Sequence, residues 1–395
     1  MREFAEHFLH IDMDAFFVEV ERKHDPSLVG VPVIVGGLGR RGVVASASYE
    51  ARAFGVRSAM PIGEARRLCP RGRFVAPGHD RYGEASREVF DLFRSFSALV
   101  EGLSVDEAFL DISGLRFHYD SPAAAGNALR AEIRDELELP ASVGISAVKF
   151  LSKLASDAAK PDGLVVVPAG QELEFLHPMP VRRLWGVGEA TRATLEGLGV
   201  ATVGDLAMVP ESLLVKRIGP SLAQHLSRLA AGIDPREVEP GGGAKSVSVE
   251  ETYAYDLTAQ SDIEQALLRL CDRLSSRLRR SGHAGHTISL KVRFGDFETI
   301  SRSETVDEPV ERTPALWDEA RSLLDRVRRE GRGVRLLGIG VAALIDSTEP
   351  RQMSLESSSR DVAAGAVEQV RERFGDDAVL PASLVLRGGK NGTGR

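Results

Sequence analysis

Hydrophobic and polar positions near the start of the chain follow two different periods. An apolar run at 8–11 ends in the acidic stretch 12–14, and apolar residues within 16–20 then recur at helical spacing. This pattern predicts a strand that ends in acids, followed by a helix. Runs rich in β-branched residues at 31–37 and 42–48 predict two more strands joined by a glycine-rich turn, and the segment YEARAFGV after them predicts a helix.

The next hundred residues alternate between the same two periods. A long helix is predicted at 78–97, then a hairpin at 99–113 with acids near its turn, and then a helix at 122–137. Strands at 141–147 and 163–168 complete a mixed sheet. Helices should cover this sheet, so the fold class predicted here is α+β.

The pattern changes twice in the second half. From 178 to 232 short helical segments are punctuated by glycines, which predicts a small all-helical domain. The segment 239–245, EPGGGAK, has few side chains that could pack, so it predicts a flexible tether and a domain boundary. Beyond it, about four strands and two amphipathic helices predict a second α+β domain.

Composition limits the classes of protein that remain. A chain of 395 residues with 43% hydrophobic residues can build several cores. The net charge of -7 gives no overall attraction to phosphate, so binding of nucleic acid would depend on local basic patches. Cys69 and Cys271 are too few and too far apart for a disulfide framework or a zinc site. No apolar stretch approaches ~18 residues, which predicts a cytoplasmic protein without a membrane partner.

Two acidic clusters at predicted strand ends carry the candidate chemistry: Asp12 with Asp14, and Asp106 with Glu107. Displacement at phosphorus is well served by two divalent ions ~3.5–4 Å apart, and Mg²⁺ prefers oxygen ligands. An isolated pair of this kind is more often solvated or caps a helix, and Asp14 fits such a cap. Neighbouring Asp106 and Glu107 should point to opposite faces unless the turn rotates one, so spacing alone leaves the ligand set open.

Five longer motifs occur together and in order over roughly residues 8–345. They are HIDMDAFFVEVE, VVASASYEARAFGVRSAMP, SVDEAFLDISG, GISAVKFLSKLASDAAKPDG and LWGVGEATRATLEGLG. This combination resembles the Y-family DNA polymerases, and within them the DinB or DNA polymerase IV branch.

The resemblance implies a right-hand polymerase of several domains. It places a catalytic palm of mixed sheet and helices at 1–24 and 75–167, and small fingers at 25–74. It places an all-helical thumb with a helix-hairpin-helix at 168–233, a linker at 234–245 and an α/β little finger at 246–346. The remaining residues, 347–395, form a tail.

The resemblance also implies a catalytic site. Asp12, Asp106 and Glu107 are expected to be catalytic ligands of two Mg²⁺ ions, with Mn²⁺ as an alternative, and the carbonyl of Met13 is expected to complete one coordination sphere. Asp14 is not expected to be a ligand. The residues expected to grip the triphosphate are Ser46, Tyr49, Arg52 and Lys160. Taken alone, the YEAR segment would be an ordinary helical turn and Lys160 an ordinary loop lysine.

Selectivity for the sugar and the base is implied at two places. Phe17 matches the family's steric gate, where a bulky ring collides with a 2'-hydroxyl. Phe16 and Phe17 taken alone would be core residues of an amphipathic helix, and one of them is expected to be. Three small residues, Val43, Ala45 and Ser58, are expected to line the roof above the nascent base pair.

DNA contacts are implied in two domains. The turn Gly186-Val187-Gly188 resembles a helix-hairpin-helix, whose free N–H groups bind a phosphate. The same residues would also fit a helix C-cap followed by a tight turn. Lys291, Arg293 and Arg302 on candidate strands are expected to contact the DNA backbone. Gln352 and Leu355 partly resemble a sliding-clamp peptide, but Glu356 stands where an apolar residue is expected.

The predicted function is therefore low-fidelity, DNA-directed synthesis that adds dNTPs to a primer 3' end without proofreading. The predicted partners are primer-template DNA, dNTP and a sliding clamp, and the enzyme is predicted to be a monomer. One alternative is a non-catalytic accessory relative, but such proteins lose the carboxylates that this chain has. A nucleotide cyclase or another two-metal phosphotransferase is the other alternative, which the helical domain and the tether disfavour. The GxGxxG match at 37–42 is followed by a predicted strand, which excludes a dinucleotide fold.

Overall fold

The computed structural model describes residues 4–347 and, in the tail, residues 370, 373, 374, 378 and 379. Two units, residues 1–242 and 243–395, have dense contacts within themselves. The tail segment with Gln352 and Leu355 lies outside the described residues. Across the described ranges, the helices are all too short or too polar to cross a bilayer.

The first unit alternates short strands and helices. Its strands are β1 (Phe8–Met13), β2 (Val33–Gly36), β3 (Val44–Ala47), β4 (Arg73–Val75), β5 (Val100–Gly102), β6 (Glu107–Asp111), β7 (Ala141–Ser146) and β8 (Leu164–Val166). Its helices are α1 (Phe16–His24), α2 (Tyr49–Ala53), α3 (Ile62–Leu68), α4 (His79–Phe96), α5 (Pro122–Leu137), α6 (Lys149–Ala159), α7 (Glu172–Leu176), α8 (Glu189–Glu196), α9 (Val203–Ala207), α10 (Glu211–Ile218) and α11 (Pro220–Ala230).

A five-stranded sheet in the order β5-β6-β1-β7-β8 forms the centre of this unit. β1 is antiparallel to both β6 and β7, whereas β7 and β8 are parallel, so the sheet is mixed as predicted. Leu9, Ile11 and Met13 of β1 belong to the core that contains residues of α4 and α5. The alternate positions of β1 face α6, because His10 contacts Ser156 of that helix. The sequence pattern did not predict α6.

Gly144 in β7 allows α6 to approach the sheet closely. A Cβ atom at this position would lie 2.0 Å from the carbonyl oxygen of Ser152 and 2.2 Å from the amide nitrogen of Ser156. Both atoms belong to the helix backbone, so neither can rotate away. Only glycine therefore fits at position 144, between β7 and α6.

We expect Gly144→Ala to lower the free energy of unfolding by about 3 kcal/mol, because α6 must move off the sheet. The matched control is Gly83→Ala in α4, where a Cβ atom meets nothing within 4 Å. That change should raise stability by about 1 kcal/mol, since alanine favours the helix. Urea denaturation measures both, and equal midpoints for the two variants would contradict the close approach.

A smaller sheet follows β1 and α1 in the chain. Its order is β3-β2-β4, with β2 antiparallel to β3 and parallel to β4. Ile34, Val44, Ala51 and Ile62 belong to its core, which joins the sheet to α2 and α3. The two predicted strands and α2 are confirmed, whereas α3 and β4 were not predicted.

Helices α7 to α11 are present, as the glycine-punctuated pattern predicted, and they share one core with Phe150, Leu151 and Leu154 of α6. The first part of the predicted linker at 234–245 is packed. Val238 is buried and packs against Phe8 and Phe109. The Nζ of Lys149 donates to the carbonyl of Glu237 at 2.6 Å. Residues 234–239 are therefore packed within the first unit.

The second unit is built as its pattern predicted, from β9 (Ser246–Leu257), α12 (Gln260–Arg280), β10 (His283–Phe294), β11 (Thr299–Val310), α13 (Thr313–Asp325) and β12 (Val334–Asp346). Its strands form one antiparallel sheet in the order β11-β10-β12-β9. Leu270 of α12 and Leu323 of α13 share a core with Leu290 and Ile339 of the sheet. The helices thus cover one face, and the other face is lined by serines, glycines and Lys291.

Candidate active site

The two acidic clusters come together at one end of the central sheet. Asp12 of β1 lies directly opposite Glu107 of β6 in the antiparallel register. Directly opposed residues in such a ladder share a face, so both carboxylates point to the same side. The amide of Met13 donates to the carbonyl of Asp106 at 3.0 Å, which places Asp106 beside the same strand end.

Each of the three carboxylates has a local partner. Lys160 Nζ lies 2.6 Å from Asp12 Oδ2. Lys153 on α6 forms an ion pair with Glu107, and Ser104 donates to Asp106. Two lysines therefore supply positive charge to the acids at this end of the sheet.

The environment treats the three acids differently. Burial raises the pKa of Asp12 to about 6, against the opposing effect of Lys160. Burial also raises the pKa of Asp106, and nearby Glu107 adds to this effect. Burial acts in the same direction on Glu107, but hydrogen bonds from His10 and Lys153 outweigh it and lower its pKa to about 2. Asp12 and Asp106 therefore lack sufficient positive charge around them.

A divalent cation fits this donor set. Carboxylate oxygens are the ligands that Mg²⁺ prefers, and two of these three carboxylates are short of counter-charge. Among the described residues, no group of three or more His, Cys, Asp or Glu side chains is already arranged to bind a metal ion. The acids point instead to lysines and a serine, which an ion would have to replace or join.

A buried histidine extends the network behind Glu107. His10 Nδ1 lies 2.7 Å from Ser156 Oγ, which donates to the carbonyl of Lys153 at 2.8 Å. His10 Nε2 lies 3.4 Å from Lys153 Nζ and 3.5 Å from a Glu107 oxygen. Burial lowers the pKa of His10 to about 4, so the ring is neutral. Neither His10 nor Lys153 was predicted from the sequence pattern.

Asp14 does not cap α1, contrary to the expectation. The N-cap residue is Ala15, in a left-handed conformation, and no side chain caps this helix end. Asp14 is buried, and its carboxylate accepts from the Tyr49 hydroxyl at 2.5 Å and from Ser142 Oγ at 2.8 Å. It also accepts from the amide of Asp162 at 2.7 Å. The side chain therefore joins three separate segments.

The four residues expected at the triphosphate fall into two groups. Tyr49 and Arg52 share one face of α2, where the guanidinium lies 4.5 Å from the centre of the ring. Ser46 is buried at the end of β3, just before that helix. Lys160, from the loop after α6, reaches Asp12. Tyr49 and the Lys160 loop are linked through Asp14.

The two adjacent phenylalanines have different surroundings, as expected. Phe16 is 2% exposed and belongs to the core, whereas Phe17 is only partly buried. Phe17 stacks on Tyr82, with centroids 4.1 Å apart and planes inclined by 9°. Tyr82 in turn donates to the buried carboxylate of Glu21 at 2.5 Å. Tyr82 packs against one face of the Phe17 ring and thus holds the ring in one orientation.

The three expected roof residues are all exposed. Val43 is 51% exposed, and Ala45 and Ser58 are open to solvent as well. Ser58 Oγ donates to the carbonyl of Ala45 at 3.2 Å, so these two lie together. The surface at this edge of the small sheet is built from small side chains.

The Gly186-Val187-Gly188 turn leads directly into α8, whose N-cap is Gly188 without a side-chain cap. Gly186 has φ +96°, a conformation that favours glycine. Gly186 and Gly188 are both exposed, while Val187 packs against the helical core. The turn therefore exposes two glycines at the uncapped start of a helix, while the amide of Val187 donates to the carbonyl of Leu184 at 3.1 Å.

The open face of the four-stranded sheet holds two of the three expected cations. Lys291 is paired with Ser301 and Gly338 in the register, and Arg293 lies two residues further on the same face. Arg302 is paired with buried Leu290 and so lies on the opposite face, with the helices. Lys291 is also held by Glu250 at 2.8 Å.

This open face is rich in hydroxyl groups. The alternating positions that line it carry Ser246, Ser248, Thr287, Ser289, Thr299, Ser301, Ser303 and Thr305. Gly338 and Gly340 in the middle strand leave a groove of about 350 Å³. The surface can donate hydrogen bonds while carrying little net charge.

Comparison with protein-family models finds three matches. Residues 11–157 match the impB/mucB/samB family, and residues 244–355 match the C-terminal domain of the same family. Residues 171–200 match the helix-hairpin-helix motif of that family, which confirms the predicted motif.

Curated relatives and solved structures agree with these matches. DNA polymerase IV of Streptomyces coelicolor is 48% identical over 86% of this chain and 71% of its own length. DNA polymerase IV of Desulfatibacillum aliphaticivorans is 40% identical over 95% of this chain and 96% of its own. A chimera of the Y-family polymerases Dbh and Dpo4 shares the fold, with a TM-score of 0.77 at 24% identity over 86% of this chain and 99% of its own. An insertion ternary complex of Dbh DNA polymerase has a TM-score of 0.64 at 25% identity, over 86% and 99% of the two chains.

Proposed function

This chain belongs to the Y-family DNA polymerases, in their DinB or DNA polymerase IV branch, and from that premise we propose how its residues carry out the reaction. It is a DNA-directed DNA polymerase of the low-fidelity, translesion class. The single observation that carries the assignment of the site is the register that sets Asp12 opposite Glu107, with Asp106 beside them.

Family membership implies a requirement for divalent metal ions, and we propose two Mg²⁺ ions, with Mn²⁺ able to replace them. Asp12, Asp106, Glu107 and the carbonyl of Met13 are the proposed ligands. Bound there, the ions supply positive charge to the oxygens of an in-line displacement at phosphorus. The raised pKa values of Asp12 and Asp106 support the proposal, because buried carboxylates short of counter-charge favour a cation.

The chain's own residues then have distinct tasks. Arg52 binds the triphosphate as a donor, and Tyr49 lines the same site with its ring against the guanidinium while its hydroxyl donates to Asp14. Ser46 adds a hydroxyl at the same edge. Lys160 leaves Asp12 and places its ammonium against a phosphate. Lys153 stays with Glu107 and keeps that carboxylate in one orientation. Phe17 lies beneath the sugar, and Val43, Ala45 and Ser58 lie above the base.

The proposed domains follow the contacts. The five-stranded sheet with α1, α4, α5 and α6 is the palm, and the small three-stranded sheet forms the fingers. Helices α7 to α11 form the thumb, and the second unit is the little finger. The proposed roof residues Val43, Ala45 and Ser58 are small and exposed, which supports low fidelity, and we propose synthesis without proofreading.

We propose that DNA binds through the helix-hairpin-helix turn and through the open face of the little finger. The turn offers N–H groups to a phosphate without reading sequence. The hydroxyl-rich sheet face, with Lys291 and Arg293, contacts the backbone. Arg302 lies on the other face and would reach DNA only around the edge strand β11.

The charge of Glu250 should limit DNA affinity. Glu250 neutralises Lys291 at 2.8 Å and repels phosphate on the same face. We expect Glu250→Gln to tighten binding of primer-template several-fold at low salt. The slope of log affinity against log salt concentration should also become steeper, by an amount that corresponds to about one additional phosphate contact. The measurement is fluorescence anisotropy across a series of salt concentrations.

The matched control is Glu304→Gln. Glu304 pairs with Arg326 at 2.6 Å, and its register partner is buried Ile288 on the helix-covered face. Removing its charge changes the net charge of the protein by the same amount, yet it should leave affinity nearly unchanged. A similar gain in both variants would mean that net charge alone is responsible.

The non-catalytic alternative has no support in these observations, because the acids are present and the relatives are polymerases. We propose further that the enzyme is a cytoplasmic monomer and that a sliding clamp recruits it through the segment with Gln352 and Leu355. The direct test of the function is extension of a primed template by the purified protein with dNTPs and Mg²⁺, compared with its Asp106→Asn variant.

A further inference from the structure

One buried carboxylate in the palm is used by neither the proposed metal site nor the core. Asp14 is 2% exposed, and its two oxygens accept hydrogen bonds from three segments. Oδ1 accepts from the Tyr49 hydroxyl, and Oδ2 accepts from Ser142 Oγ and from the amide of Asp162. These donors lie on α2, on β7 and in the loop that follows α6.

Two of these segments carry residues of the proposed triphosphate site. Tyr49 itself is one of them, and Asp162 lies two residues after Lys160. Tyr49 and Lys160 are far apart in the chain and approach the substrate from different domains. A shared acceptor between them fixes the position of one with respect to the other.

The loop is also held from its other side. Arg130 and Arg134 of α5 both form ion pairs with the Asp162 carboxylate, and Arg130 donates to the Asp162 carbonyl as well. Arg130 further donates to the carbonyl of Ala141 at 2.9 Å, which anchors the arrangement to β7. The Asp162 side chain is therefore fixed by α5, and its amide is fixed by Asp14.

We propose that Asp14 is a positioning residue that sets Tyr49 and the Lys160 loop as one unit for the incoming triphosphate. The inference rests on the proposed function and adds a residue for which only a helix cap was expected. Asp14 contacts neither substrate nor metal in this role. It acts through the hydroxyl of Tyr49 and the backbone of the loop.

The defining test is the steady-state kinetics of Asp14→Ala and Asp14→Asn in primer extension. The alanine variant loses all three hydrogen bonds, and its KM for dNTP should rise on the order of ten-fold while kcat falls far less. Asparagine can keep an oxygen toward the Asp162 amide, and the Tyr49 hydroxyl can rotate to accept from its amide group. The asparagine variant should therefore recover most of the lost affinity.

Coupling to Tyr49 separates positioning from general loss of stability. Tyr49→Phe removes only the hydroxyl that donates to Asp14. If Asp14 acts through Tyr49, the double variant Asp14→Ala with Tyr49→Phe should raise KM by clearly less than the product of the two single effects. Multiplying effects would overturn the proposal. Thermal unfolding of each variant shows whether it is folded at the assay temperature.

The possible results distinguish this inference from the function on which it rests. A wild-type protein that does not extend primers would refute the polymerase assignment itself. Wild-type extension with an unchanged KM in folded Asp14→Ala would refute only the role of Asp14. An asparagine variant as impaired as the alanine variant would also refute it, because the geometry of the acceptor would then not matter.

Discussion

Replacing Asp106 by asparagine is expected to reduce kcat for primer extension by roughly a thousand-fold or more. The amide keeps the shape of the side chain but loses the charge that an Mg²⁺ ligand needs at this site. Folding should not suffer, because burial raises the pKa of Asp106 and so already disfavours its charged form. The loss should therefore appear in catalysis, with an unchanged thermal midpoint and unchanged affinity for primer-template.

Asp91→Asn serves as the matched control for this experiment. Asp91 lies on the solvent-facing side of α4 and pairs with Arg94 at 2.8 Å, with 76% of its side chain exposed. The Asp91→Asn substitution removes the same charge from the same unit, and extension should proceed at the wild-type rate. Extension by the Asp106 variant at a comparable rate would show that the proposed carboxylate set is wrong.

Replacing Phe17 by alanine should admit ribonucleotides. The ring stacks on Tyr82, which is fixed by Glu21, so Phe17 cannot swing away from a 2'-hydroxyl at little cost. Removing it opens the space, and discrimination between dNTP and rNTP should fall by roughly 100-fold. The ratio of kcat/KM for the two nucleotides in primer extension is the quantity to measure.

Phe54→Ala is a suitable comparison because Phe54 is 54% exposed just after α2. Its loss should leave sugar selectivity as in the wild type. Selectivity that stays intact in the Phe17 variant would place the gate at another residue. A general fall in incorporation of both nucleotides, without a change in their ratio, would also argue against Phe17.

Much of the fold could be predicted because strand and helix periods are clear where one face is buried. The helix α5 begins and ends at the predicted residues, and the four strands of the second unit were all expected. Helix α6 was missed for a physical reason. Ser152, Ser156 and Lys149 are buried in it, so the polar positions in the sequence do not mark a solvent-facing side.

The site could be predicted in part. The DxD pattern and the acidic hairpin pointed to two strand ends that the fold brings together, but only the register shows that Asp12 and Glu107 share a face. The same limit explains why Arg302 was expected on the open face but lies on the other one, since a shift of one residue in register moves a side chain to the opposite face. A register shift between Gly285 and Thr287 lies in that very ladder.

The partners of the site residues were beyond the reach of sequence. His10, Asp14 and Lys153 act through contacts with segments far along the chain, and short-range spacing carries no signal for such contacts. Asp14 was expected to serve the helix that follows it, whereas folding directs its carboxylate to three other segments.

The packed segment 234–239 determines where a recombinant fragment of this enzyme should end. A fragment that stops at Gly232 would strip Val238 from Phe8 and Phe109 and leave the buried ammonium of Lys149 without the Glu237 carbonyl. The first unit would then expose apolar surface on the sheet that carries Asp12. Splice points for exchanging the second unit among related polymerases therefore belong after Glu239, whose amide still donates to Glu101.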